Sequence, residues 1–111
     1  MNDLTWNEFE KVEMRVGTVI EVNDFPEARN PSYKLTIDFG KEIGIKKTSA
    51  QITVLYKKEE LIGTQVIAVL NFPKKQIATF MSECLVLGAV NSDEVTLIQP
   101  NKKSKNGLRI L

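Results

Sequence analysis

From Tyr33 to Phe39 apolar and polar residues alternate without a fault, and Gly40 closes the run with a turn. A strict period of two sends successive side chains to opposite faces of an extended chain, so this is a strand with one face in a core. Between Met14 and Val22 the even positions Met14, Val16, Thr18, Ile20 and Val22 form one face, and Arg15, Gly17, Val19 and Glu21 the other. Ile43–Ser49, just beyond Gly40, is the natural antiparallel partner of the first run. Gln65–Leu70 and Cys84–Leu87 are continuous apolar runs, the pattern of strands buried on both sides. A last turn at Asn91-Ser92-Asp93 precedes Val95–Ile98. So many short strands leave many edges, and closing the sheet on itself removes them.

Helical spacing is confined to two places. Thr5 and Glu8 stand at capping-box spacing with Trp6, Phe9 and Val12 on one face, which predicts a short leading helix over Asn7–Val12. Ile52, Leu55, Tyr56 and Ile62 recur at helical intervals before Gly63, a residue suited to a left-handed helix stop, which predicts one helix within Gln51–Ile62. Two segments leave the sheet. Phe25–Ser32 carries Pro26 and Pro31, and Asn71–Ile77 carries Pro73 and two lysines, making these the first and second candidate binding loops. The order strand, loop, strand, strand, helix, strand, loop, strand predicts an all-β fold with one or two short helices: a five-stranded Greek-key β-barrel, the OB-fold, with terminal extensions.

A chain of 111 residues suits one domain over 1–111. Lys plus Arg number 15 against 14 acids, for a net charge of +1, so any attraction for nucleic acid must be local. The apolar run Val66–Leu70 is too short to cross a bilayer, and Met1–Lys11 is acidic and amphipathic, unlike a secretory signal; cytoplasmic residence is expected. There is no histidine, which removes the imidazole base, the Ser-His and Cys-His pairs and His-based zinc sites. Cys84, the lone cysteine, opens an apolar run and reads as a small buried hydrophobe. The chain is expected to be no enzyme and to carry no metal or cofactor.

In this fold ligands bind on the second and third strands and on the loops joining first to second and fourth to fifth. Arg29, Lys34, Lys46, Lys47, Lys74 and Lys75 fall there. Any one of them alone would be a solvated charge, but together they are candidate phosphate contacts. Ser49, Asn71 and Ser82 are neutral groups able to bond phosphates or base edges, although such residues in turns often bond their own backbone. Phe25, Phe72, Phe80 and Met81 are candidates for an apolar peptide groove, since such side chains stack bases and grip peptides equally well. Trp6, Phe9, Val95, Leu97, Ile110 and Leu111 place apolar material at both ends, which predicts a homodimer interface.

Met14-Arg15-Val16-Gly17-Thr18-Val19, Phe25-Pro26-Glu27-Ala28-Arg29, Tyr33-Lys34-Leu35, Ile37-Asp38-Phe39-Gly40 and Ser82-Glu83 resemble, block by block, the tRNA-binding-domain family. The blocks Ile43–Lys47, Ser49–Thr53, Val66–Val69 and Asn71–Pro73 resemble in particular its branch of small export chaperones. The chain departs from the wider pattern at Cys84-Leu85, where the family usually has Gly-Met, and in a loop lengthened by Asn30-Pro31. The resemblance implies an oligonucleotide-binding barrel that dimerises through its extensions, binds tRNA by shape and gives weight to Ser82. In the chaperone branch it implies unfolded or precursor polypeptides and the export machinery as partners.

Overall fold

The alternating run is strand β2 (Tyr33–Asp38), hydrogen-bonded antiparallel to β1 (Met14–Asp24) on one side and β3 (Ile45–Ala50) on the other, in a computed structural model that describes residues 1–111. β4 (Gln65–Val69) pairs with β1, and β7 (Leu85–Val86) with β4, so the sheet runs β3-β2-β1-β4-β7. Its two edges then meet. The Glu83 N–H donates to the Lys47 carbonyl at 2.8 Å, the Lys47 N–H to the Glu83 carboxylate at 2.9 Å, and the Thr48 hydroxyl to the Cys84 carbonyl at 2.6 Å. The result is the nearly closed five-stranded antiparallel barrel of an OB-fold. A hairpin of β5 (Lys75–Ile77) and β6 (Phe80–Ser82) is inserted between β4 and β7, and a second, β8 (Gly88–Asn91) with β9 (Glu94–Leu97), follows β7.

Leu35, Ile37 and Phe39 fill the barrel as their alternation requires, meeting Val19, Val22, Val66, Ala68, Ile52, Leu61 and Leu97. β1 does not keep a single period. Its pairing with β2 shifts between Val19 and Glu21, so Gly17 and Val19 face the core and a bulge at Ile20 returns Val22 to it. Ile20 is left outside at 44% exposure, so the even positions do not share one environment. An extra residue in one strand reverses the facing of everything after it, and a count of alternation cannot register that. Gly17 has a packing reason: a Cβ there would stand 2.6 Å from both Ile37 and Phe39.

β4 is buried on both faces as expected, from Val66 through Val69. Leu85 is not: β7 is two residues long and leaves this leucine 48% exposed. The leading helix α1 (Trp6–Glu10) starts one residue earlier than predicted, and its capping box is formed, with Glu8 N–H donating to the Thr5 hydroxyl at 3.1 Å. The second helix shrinks to α2 (Lys58–Leu61). Tertiary contacts override the helical spacing upstream of it. Ile52 enters the core, the Tyr33 hydroxyl donates to the Tyr56 carbonyl at 2.8 Å, and the Tyr56 hydroxyl accepts from the Leu97 N–H at 3.0 Å. Gly63 does adopt the left-handed conformation, at φ +88°.

Beyond β9 the tail lies beside the first half of β1, the place β2 leaves empty. Val16 N–H donates to the Leu108 carbonyl at 3.0 Å, Gly107 N–H to the Val16 carbonyl at 2.8 Å, and Ile110 N–H to the Met14 carbonyl at 2.9 Å.

Candidate nucleic-acid interface

Alternation and register fix what the open face of β2 and β3 presents. Lys34 and Thr36 point away from the core, and their partners across the ladder are Ser49 and Lys47. Directly opposed residues share a face. Lys46 pairs with fully buried Ile37, so it turns to the other side, partly buried, where its charge acts on the Cys84 thiol. Neighbours on a strand cannot both join one face, so of the two lysines named from the sequence it is exposed Lys47 that shares the face of Lys34 and Ser49.

The first loop, the end of β3 and the two hairpins enclose a groove of about 870 Å³. Arg29, Ser49, Lys75 and Ser82 line one part of it. Arg29 and Lys75 are exposed, while Ser49 and Ser82 are half-buried and carry the groove wall. The Ser82 hydroxyl lies 2.9 Å from that of Thr48 and 3.5 Å from the Ser49 N–H. Lys74 stands at the foot of the hairpin, 3.6 Å from the Glu83 carboxylate. The groove also has an exposed apolar stretch: Val54, Leu85 and Val90 are 53%, 48% and 73% exposed. Sequence reasoning missed these three. Each lies in a short or irregular segment where no periodicity marks which side faces solvent.

Asn71 is not part of the groove. Its amide donates to the Lys11 carbonyl at 2.6 Å and accepts from the Glu13 N–H at 3.0 Å, so it braces the exit of α1. Nor do the four candidate peptide-groove residues line the groove. Phe72 and Met81 are exposed at 57% and 43%. Phe25 is buried and meets the partly buried Phe80 edge to face, with ring centres 5.4 Å apart. The Lys34 ammonium lies over both rings, 5.1 and 5.7 Å from their centres.

Of the residues expected at a dimer contact, Trp6 is exposed and packs on Phe9 at 5.5 Å, and Val95 and Ile110 are partly buried. Leu97 is committed to the core of its own barrel and has no surface left to offer. Cys84 is buried as expected of a structural cysteine, and burial pushes its thiol up to about 11. No helix is long and apolar enough to cross a membrane.

A nearly closed five-stranded antiparallel barrel of this topology, with hydroxyls and free cations on its loop side, has the architecture of the OB-fold class. Residues 14–109 match the family described as "Putative tRNA binding domain", and the chain belongs to that tRNA-binding-domain family. Among solved structures it is similar to the chaperone CsaA of Bacillus anthracis, with 47% identity, a TM-score of 0.94 and coverage of 99% of this chain and 100% of that one. It is also similar to CsaA of Picrophilus torridus, with 53% identity, a TM-score of 0.92 and coverage of 98% and 100%. The methionine–tRNA ligase of Thermococcus kodakarensis is 36% identical over 110 residues, which are 99% of this chain but 14% of that enzyme. The chain spans about a seventh of the length of this enzyme.

Proposed function

We propose that this chain binds tRNA in the groove between the first loop and the β5–β6 hairpin, as a homodimeric module without catalysis of its own. The observation that carries the reading is convergence: Arg29, Ser49, Lys75 and Ser82 come from four separate segments and line one groove. Two unpartnered cations supply phosphate attraction that a net charge of +1 cannot supply globally. Two hydroxyls suit phosphate oxygens and 2′-hydroxyls, through which folded RNA is read by shape. Asp93 is the one carboxylate along the groove, and with no imidazole in the chain nothing there is arranged to move a proton. Lys47 extends the basic character over the β3 face. Cytoplasmic residence goes with this reading, since tRNA is a cytoplasmic ligand.

The apolar stretch at Val54, Leu85 and Val90 favours a second reading, an extended unfolded polypeptide in the same groove, and the two CsaA relatives are named as chaperones. Salt separates the two. RNA held through phosphates weakens steeply as salt rises, whereas an apolar peptide contact does not. Titration of total tRNA and of an unfolded polypeptide at several salt concentrations is the test. A salt-insensitive affinity for the polypeptide with none for tRNA would replace the first reading by the second. Exposed Leu4, Trp6 and Leu111 support a second copy covering the extensions, which sedimentation at micromolar concentration would check by returning a dimer mass.

A further inference from the structure

Phe25 is 4% exposed, yet it stands outside the cluster that fills the barrel. It belongs at the root of the first loop, on the side of β1 that carries Asn23, whose ladder partner is Lys34. What meets its ring is Phe80 of the inserted hairpin, edge to face. That geometry sets the positive rim of one ring against the negative face of the other, and a cation over both faces adds to the attraction. The Lys34 ammonium occupies that position over both rings. Three side chains from three segments thus form a small cluster independent of the core. Phe25 stands at the root of the loop that brings Arg29 to the groove, and Phe80, paired with Ile77 beside the hairpin turn, belongs to the hairpin that brings Lys75.

We propose that Phe25, Phe80 and Lys34 form a clasp that fixes the first loop against the β5–β6 hairpin, so that Lys34 is a positioning residue for the groove and not one of its phosphate contacts. The proposal rests on the tRNA reading for its binding arm and reassigns a residue that sequence reasoning grouped with the phosphate contacts. The clasp sets the separation of Arg29 and Lys75. A site that must meet the fixed spacing of phosphates on folded RNA needs such a constraint, because loops alone would spend binding energy on being ordered.

Two measurements test it. In the RNA-free protein, Phe80→Leu should speed amide exchange in the hairpin and also in residues 27–30, between the two loop prolines, which the substitution does not touch in sequence. Phe80→Tyr keeps the ring and should exchange like the parent. Exchange in residues 27–30 unchanged by Phe80→Leu would overturn the clasp whether or not the chain binds RNA. In tRNA titrations, Lys34→Met should weaken binding about three- to tenfold, the size of a single aromatic or cation–ring interaction, with no change in the slope of log affinity against log salt. Lys34→Arg, which keeps the cation over the rings, should restore the affinity. Lys75→Met should flatten that slope by ~0.7 to 0.9. A Lys34→Met slope as flat as that of Lys75→Met would make Lys34 a phosphate contact and overturn the assignment. Absence of tRNA binding by the parent, with coupled exchange intact, would overturn the RNA reading and leave the clasp standing.

Discussion

Two polar regions of this barrel use the same residue types to opposite ends. Around the C-terminal tail the polar side chains that face it are engaged with one another or with backbone. The Gln65 amide donates to the Ser104 carbonyl at 2.6 Å and accepts from its N–H at 2.8 Å, the Thr18 hydroxyl donates to the Asn106 side chain at 2.7 Å, and Arg15 donates to the Gly107 carbonyl at 2.9 Å. A polar cleft of about 530 Å³ opens beside this network, among Thr18, Asp38, Gln65 and Asn106. In the groove Arg29 and Lys75 hold nothing within the chain. Hydrogen-bonding groups already engaged with the protein hold structure together, and groups left free next to a concavity are available to a ligand. On the proposed function the tail network serves stability and the groove serves binding, and the two should respond to substitution independently.

The largest effect is expected at the tail. Gly107 has φ +91°, and a Cβ there would sit 2.6 Å from the Phe39 carbonyl oxygen. Gly107→Val should lower stability by about 2 to 4 kcal/mol through backbone strain and overpacking. Denaturant unfolding measures the loss, and tRNA affinity per folded molecule should stay at the parent value. A parallel loss of affinity would mean that the two regions are coupled.

Cys84 lies beneath the groove, and its chemistry gives the next effect. Burial raises the thiol from 9.0 to about 11 in the folded chain, so both states are neutral below pH 9 and the thiol costs the fold nothing there. Between pH 9 and 11 the unfolded chain ionises first, and the native state loses stability as pH rises. At about 1.4 kcal/mol per pH unit the loss approaches ~2 to 3 kcal/mol. Cys84→Ala should remove the thiol's share of this slope, making unfolding curves taken across that window less steep in pH.

On the groove side, Lys74→Met with Lys75→Met should weaken binding to all tRNAs by similar factors. It should also flatten the log–log salt slope by ~0.7 to 0.9 for each phosphate that is no longer neutralised. The unfolding midpoint should barely move, because exposed pairs such as that of Lys74 with Glu83 contribute about 0 to 1 kcal/mol. Unchanged affinity and slope would place the RNA face elsewhere.

How far each region was legible in the sequence follows from the physics that builds it. The barrel was legible because Tyr33–Phe39 and Val66–Val69 are governed by burial, which writes itself into residue type at a fixed period. The bulge at Ile20 was not, since it leaves no mark in composition, and neither was the loss of helix over Gln51–Lys57, where Ile52 and Tyr56 are claimed by distant partners. Fold logic picked out Arg29, Ser49, Lys75 and Ser82, and the structure brings these four to one groove. That logic did not separate Lys46 from Lys47, which only the ladder register does. Asn71 shows the limit from the other side: its position suggested a ligand, and its amide turned out to be engaged with backbone 58 and 60 residues away in sequence.

The smallest expected effect lies at Ser82, which belongs to both barrel closure and the groove. Its hydroxyl reaches the groove and also meets the Thr48 hydroxyl at 2.9 Å, inside the seam where the sheet edges join. Thr48 keeps a second bond, to the Cys84 carbonyl at 2.6 Å, so Ser82→Ala leaves it satisfied. The substitution should then lower stability by no more than about 1 kcal/mol, and lower tRNA affinity by a factor corresponding to one neutral hydrogen bond, about 0.5 to 1.5 kcal/mol. Because a hydroxyl displaces no counterion, the salt slope should remain that of the parent, in contrast to the Lys74 and Lys75 double change. Isothermal titration at two salt concentrations, paired with thermal unfolding of the same samples, separates the two contributions. Full retention of affinity with a lowered melting temperature would assign Ser82 to barrel closure alone and shrink the ligand-facing set to Arg29, Ser49 and Lys75.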